Sequence, residues 1–366
     1  MLLTNAEPAR VFVLVGAEGV REAVAAAART LRGNLGPGPR RGPMRFADVV
    51  GHSPVIEMLR RSAFRDHVAH AWLFHGPEGV GKRTVAMAFL SYLVCRNRTE
   101  EDSCGRCLSC RQVDEGLFPD IRVLAPDGLF IKMEQVQEAM PRLFFPPVVG
   151  PVKGLVLDDA HHLKPEAANA ALKTLEEPPP GVVFILVSSA PDLLPRTVVS
   201  RCFPVAFGRL ARDEVRGLLQ ARGIPEATAR AAASVARGSP GLAMRMAQTE
   251  GLADGADLLA SLLEMPHATA RFQMIEDLGR DRESAALRMA WIESLIRDLL
   301  RVATGLPESE CAHPEMHGRM QALVDRVGTD AVLEMAEAFL AWDRDRSFSP
   351  SLSLALQRIL QPLSPR

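Results

Sequence analysis

The run Gly76-Pro-Glu-Gly-Val-Gly-Lys-Arg83 carries the glycines and the lysine of a phosphate-binding loop but lacks its last member. The working pattern ends in Gly-Lys followed by Ser or Thr. Gly76, Gly79 and Gly81 let backbone amides turn toward phosphate oxygens. Lys82 would reach the β and γ phosphates, and the helix that follows points its positive end at them. The eighth position is Arg83, which has no hydroxyl to ligate Mg²⁺ during phosphoryl transfer. Thr84 offers a hydroxyl one residue late, and one residue along a helix is a rotation of about 100°. It is expected to point away. The expectation is a loop that keeps its shape, binds ATP or ADP weakly or not at all, and turns over little.

A second fault lies in Leu155-Val-Leu-Asp158-Asp159. An Asp at the end of an apolar strand can hold Mg²⁺, and Asp158 is that candidate. ATPases of this type place Glu next, to orient the attacking water, whereas here Asp159 is shorter by one methylene. A misplacement of about 1 Å can cost on the order of 10²-fold in rate. His161 and His162 follow and read as solvent-side helix residues.

Of six cysteines, four fall at 95, 104, 107 and 110. Four thiolates in this clustering (Cys95, Cys104, Cys107 and Cys110) can close a tetrahedral Zn²⁺ site, and four protein ligands leave no open position, so the zinc would be structural. The alternatives are plain reduced thiols or a redox dithiol. The latter has no His or acid pair nearby in sequence. A fourth candidate is Arg201 in Ser200-Arg-Cys202. It is either a surface arginine or a guanidinium offered to a neighbour's γ-phosphate, a task that suits a permanently charged, forked side chain.

The elements that position these residues follow from local pattern. Short apolar strands read at Ala71–Phe74, Ile121–Leu124, Leu155–Leu157 and Val182–Val187, most of them followed by a helical stretch. That alternation implies an α/β parallel sheet covered by helices. Sites in such sheets gather at the carboxyl ends of strands, where Gly76–Lys82, Asp158 and Ser188 all fall. From about Leu210 the strands stop. Helices read at 212–221, 225–236 and 240–248 as a small lid over 209–262, and an all-α domain is expected over 265–366. Its apolar stripes (Leu287, Trp291, Leu295, Leu299; Val332, Met335, Ala336, Phe339; Leu352, Leu356, Leu360) face either a local core or other subunits. Residues 1–43, ending in a Gly- and Pro-rich stretch, read as a tail or a misassigned start, and 44–208 as the sheet domain with the cysteine insertion at 95–110.

The 366 residues hold 43 basic and 44 acidic side chains, a net charge of −1, so no molecule-wide basic field draws in nucleic acid. No apolar run approaches the roughly 18 residues of a membrane span. The expectation is a cytoplasmic protein with no membrane contact.

Together the segments Phe46-Ala-Asp-Val-Val-Gly51, the loop, the cysteine quartet, the Asp158-Asp159 strand, Ala168-Asn-Ala-Ala-Leu-Lys-Thr-Leu-Glu-Glu-Pro-Pro179 and Ser200-Arg-Cys202 resemble, in this order, the bacterial clamp-loader AAA+ subunits. The resemblance covers roughly 46–250. The ATP-hydrolysing gamma/tau type carries a full Gly-Lys-Ser/Thr loop and an Arg in a lid motif Gly-Ser-x-Arg. Here Arg83 replaces the hydroxyl, and Gly238-Ser-Pro-Gly241 puts Gly241 in that arginine's place. Both departures are similar to the delta-prime type. The resemblance implies a stator that lends Arg201 in trans to an adjacent motor subunit. It implies gamma/tau and delta partners, and contact with the sliding clamp and primer–template DNA through the complex. It also implies that Ser188 and Ser189 occupy a nucleotide-sensing position. A gamma/tau-type motor is the competing reading. A small-molecule phosphotransferase would explain the loop but not the cysteines, Ser200-Arg-Cys202 or the helical final third.

Overall fold

The computed structural model describes residues 44–248, 282–345 and 352–363, with 260–261 and 275 beside them. The stretch expected as a tail, 1–43, lies outside the described residues, as does most of 249–281. In chain order come α1 (Ser53–Phe64), β1 (Ala71–His75), α2 (Lys82–Val94), α3 (Leu108–Asp114), β2 (Ile121–Leu124), α4 (Met133–Leu143), β3 (Lys153–Leu157), α5 (Pro165–Glu176), β4 (Val182–Ser188), α6 (Arg196–Val199) and β5 (Phe203–Ala206). The helices α7 (Arg212–Ala221), α8 (Glu226–Val235), α9 (Pro240–Gln248), α10 (Arg282–Ala303), α11 (His317–Val327), α12 (Thr329–Asp345) and α13 (Leu352–Leu360) follow.

The five strands form one parallel sheet in the order β2-β3-β4-β1-β5. Parallel neighbours need crossover connections, which the intervening helices supply. Alternate residues of each strand enter opposite layers. Trp72 and Phe74 of β1, with Val183, Ile185 and Val187 of β4, pack on α2. Ala71 and Leu73, with Val182, Phe184 and Leu186, pack against α4 and α5. Every residue of β4 is buried, which is why it reads as an unbroken apolar run rather than an alternation.

The fifth strand is not among those expected from the sequence. Phe203-Pro-Val-Ala contains a proline, which argues against a strand in mid-sheet, but β5 lies on the sheet's outer edge, where a missing donor is tolerated. The histidines at 161 and 162 also differ from expectation. They belong to a single 3₁₀ turn, Ala160–His162, and are half-buried rather than solvent-facing. The cause is the sheet order: β3 lies beside β4, so His161 Nε2 comes within 3.4 Å of Ser189 Oγ.

Among the helices, a single apolar cluster joins Val215, Leu219 and Met246 to Ile292, Leu295, Leu299, Val332, Met335 and Leu356. The three stripes face this core, with Leu287, Ala336 and Leu352 at its partly buried margin. No helix among the described residues is long and apolar enough to cross a membrane.

Candidate functional site

Strand β1 ends at the loop, and β4 lies between β1 and β3, so Gly76–Lys82, Ser188 and Asp158 meet at the carboxyl ends of three adjacent strands. The amide of Gly76 donates to Ser188 O at 3.3 Å, and that of Asp158 to Leu124 O at 2.8 Å. Gly76 sits at φ 141°, and a Cβ there would lie 2.2 Å from Phe207 O, so no other residue fits. Gly81 caps the start of α2 at φ 110°, and its carbonyl accepts from the amide of Val85 at 3.0 Å. The demand at Gly81 is conformational and not steric: the space its Cβ would fill is open, but L side chains rarely adopt that φ. The backbone thus has the shape of a phosphate loop.

Its side chains are engaged elsewhere. Lys82 Nζ donates to Gly76 O and Pro77 O, both at 2.7 Å. Burial pushes its pKa down to about 8 against the raising influence of Asp159, Glu78 and Asp158. Arg83 Nη1 donates to Asp158 Oδ2 at 2.8 Å. The guanidinium therefore occupies the carboxylate that an ATPase reserves for Mg²⁺. A dication brought to the same oxygen would meet both the loss of this bond and a like charge a few ångströms away. Burial still raises the pKa of Asp158, with Arg83 opposing it. Burial, with Glu78 nearby, raises that of Asp159. Asp159 is held at φ 48°, where the backbone turns from β3 into the histidine turn. Thr84 is half-buried at the next helical position, and Asp158 pairs with Arg83 instead. Ser188 is fully buried, and its Oγ accepts from the amide of Ala190 at 3.2 Å.

The cysteines converge as their spacing predicts. Their four sulfurs lie within 4.8 Å of one another, with Cys95 and Cys110 buried and Cys104 and Cys107 half-buried. Sγ–Sγ separations of 4.0 Å for Cys95 and Cys107 and 3.5 Å for Cys107 and Cys110 bracket the roughly 3.8 Å that two thiolates adopt on one tetrahedral Zn²⁺. Loop amides point at the sulfurs: Cys104 N at Cys95 Sγ, 3.3 Å, and Cys107 N at Cys104 Sγ, 3.4 Å. Burial pushes the Cys104 thiol up, but the amides of Arg106 and Cys107 outweigh it and bring it down to about 6. Burial raises Cys95 and Cys110. The donor set fits a metal ion, and closure by four sulfurs leaves it a structural role.

Around this cluster the loop is tied to its surroundings by carboxylates that the sequence pattern does not single out. Asp102 accepts from the amides of Phe46 and Ala47 at 3.0 and 2.8 Å, and Asp114 from Met44 at 2.6 Å. Asp120, buried before β2, accepts from three successive amides, Val148, Val149 and Gly150, at 2.7, 2.7 and 2.9 Å. Nothing in the sequence marks them: Asp102 follows the exposed run 96–101, and Asp114 is followed by exposed 115–117.

Arg201 is not brought to the loop. It follows α6, its Nη2 donates to Glu176 Oε1 at 2.5 Å at the end of α5, and its Nη1 donates to Thr197 O at 2.7 Å. The neighbouring Cys202 is buried in the apolar layer with Leu194 and Val198. Arg201 and Glu176 are 33% and 48% exposed, so the ion pair is a surface one. Such pairs contribute about 0.2–1 kcal/mol and exchange readily for a stronger anion.

A family model described as "DNA polymerase III, delta subunit" matches residues 51–211. A DNA polymerase III subunit delta′ from Yersinia pestis is 32% identical over 289 residues, which span 76% of this chain and 83% of that one. The chain belongs to the delta-prime family of DNA polymerase III subunits. A gamma subunit from Buchnera aphidicola is 34% identical over 174 residues, 47% of this chain and 48% of its own length. A tau/gamma subunit from Haemophilus influenzae is 37% identical over 174 residues, 48% of this chain and 25% of its own length. The chain thus spans about half, or less, of the length of these gamma and tau relatives, whereas its match to the delta-prime protein runs through most of both.

Proposed function

We propose that the chain is a non-motor subunit of a DNA polymerase III clamp loader, and that it presents Arg201 to the ATP held by an adjoining gamma/tau-type subunit. The observation that carries the first half is the Arg83–Asp158 ion pair, which puts a protein cation on the carboxylate a motor needs for Mg²⁺. The second half is supported by an arginine on the surface of the sheet domain, away from the chain's own loop and held by an exposed glutamate and a backbone carbonyl. In this reading residues 44–208 are the sheet domain with a zinc-bearing insertion, 209–262 the lid and 265–366 the domain that meets other subunits. Delta, the sliding clamp and primer–template DNA are reached through the complex, in the cytoplasm.

ATP turnover by the isolated chain tests the first half. It is expected at background, and Lys82→Ala is expected to leave it there. Turnover that Lys82→Ala abolishes would instead support the motor reading, which the 34–37% identity to gamma and tau proteins keeps in view.

Glu176 gives a further expectation. A carboxylate 2.5 Å from the finger holds the guanidinium ready and costs little to displace. Glu176→Gln is expected to leave assembly intact and change the partner's ATP turnover by less than about fivefold, the scale of a surface ion pair. A collapse of turnover equal to that of an Arg201 substitution would show that Glu176 does more than hold the side chain.

A further inference from the structure

The carbonyl oxygens of a loop must find donors, and it matters which donors they are. Those of Gly76 and Pro77 take Lys82 Nζ, and that of Val80 takes His52 Nε2 at 2.9 Å. The two between them are held by a segment far along the chain. Glu78 O accepts from Ser239 Oγ at 3.0 Å, 161 residues along the chain. Gly79 O accepts from the amide of Gly241 at 2.9 Å. The Glu78 carboxylate faces Arg245 at 3.4 Å. Five consecutive carbonyls, 76 to 80, are thus satisfied by the chain itself, and those of Glu78 and Gly79 by the start of α9.

The approach is close enough to select residues. A Cβ on Gly79, at φ 72°, would lie 2.4 Å from Ser239 Oγ, and one on Gly241 would lie 3.1 Å from Gly79 Cα. The turn before α9 aims Ser239 and Gly241 at the loop. Arg237 and Gly238 both have positive φ, 49° and 72°, and Gly238 O accepts from the amide of Leu210 at 3.0 Å. Gly241 is therefore more than the loss of the arginine expected in a motor subunit. Its bare backbone is what allows the two segments to touch.

We propose that the Gly76–Lys82 loop is the seat on which α9 docks, and that this docking, rather than a nucleotide, fixes the angle between the sheet and the helices that follow. The proposal rests on the reading of the pocket as spent, but not on the finger role of Arg201.

Hydrogen exchange on the full chain tests it. In the unaltered protein the amide of Gly241 is expected to exchange slowly, and millimolar Mg·ATP is expected to leave 76–82 and 239–245 unchanged. Gly241→Arg is expected to speed exchange in both segments by about tenfold or more, the scale of losing a hydrogen bond and its neighbours, while β3 and β4 keep their protection. Protection of the loop by Mg·ATP in the unaltered protein would overturn the proposal, as would unchanged exchange in Gly241→Arg. If Gly241→Arg loses protection in β3 and β4 as well, Gly241→Ala decides. Alanine favours an undocked helix over glycine, so slower or unchanged exchange in both segments overturns the proposal and faster exchange supports it. Partner ATP turnover that falls with Arg201→Ala bears only on the finger, so the two claims fail separately.

Discussion

Arg201→Ala is expected to assemble with its partner subunits as well as the unaltered chain does and to lower ATP turnover at the one interface it serves by about 10³-fold. The size follows from the role: a guanidinium placed against the γ-phosphate meets charge that grows toward the transition state, in a site from which water is largely displaced. The substitution spares the fold. Arg201 is a third exposed and its ion pair lies at the surface, whereas the adjacent Cys202 does the packing. Arg201→Lys is expected to recover little, because an ammonium keeps the charge but lacks the fork. DNA-stimulated ATP turnover by the reconstituted complex, with assembly checked by gel filtration, measures both. Normal turnover in an assembled Arg201→Ala complex would reject the finger and leave Arg201 as a surface residue paired with Glu176.

Metal removal has the second large effect. The purified chain is expected to hold one Zn²⁺ and to lose it in Cys107→Ser or on strong chelation. In zinc-finger peptides a structural zinc contributes roughly 10–16 kcal/mol of apparent binding energy, and that energy becomes order in the segment that binds it. The loss should reach beyond the cysteines. Asp102 and Asp114 tie the Cys loop to the amides of Met44, Phe46 and Ala47, so exchange should rise over both 44–48 and 95–114 while β3 and β4 stay protected. Affinity should fall as pH falls, since each thiol must shed its proton to bind the metal and burial already raises Cys95 and Cys110. A metal content of zero after gentle purification would remove the claim.

Much of this was legible in the sequence because it is local. The loop announces itself through glycine spacing, the buried strands through apolar runs, and the helices at 212–221, 226–235 and 240–248 through their period. The cysteine cluster was legible for the same reason, with three of the four within seven residues. What the sequence hid is pairing at a distance. Arg83 could be seen to lack a hydroxyl, but not to reach Asp158, 75 residues away. Gly241 could be seen as a missing arginine, but not as a donor to Gly79. Glu176 stands inside the Ala168–Pro179 segment with nothing to mark it as the partner of Arg201, 25 residues on. The fifth strand was hidden by a rule that holds in mid-sheet and lapses at the rim.

That rim has a bearing on solubility. The amide of Phe207 turns inward to His75 O, so along β5 the odd-numbered amides face β1 and position 204 faces outward. Pro204 therefore removes one of the few outward donors on a margin where Phe203 is already half exposed. A foreign strand arriving there finds an incomplete ladder, the same device by which many β proteins discourage edge-to-edge aggregation. That single imino acid helps keep this flank of the sheet from growing a sixth strand borrowed from a neighbouring molecule.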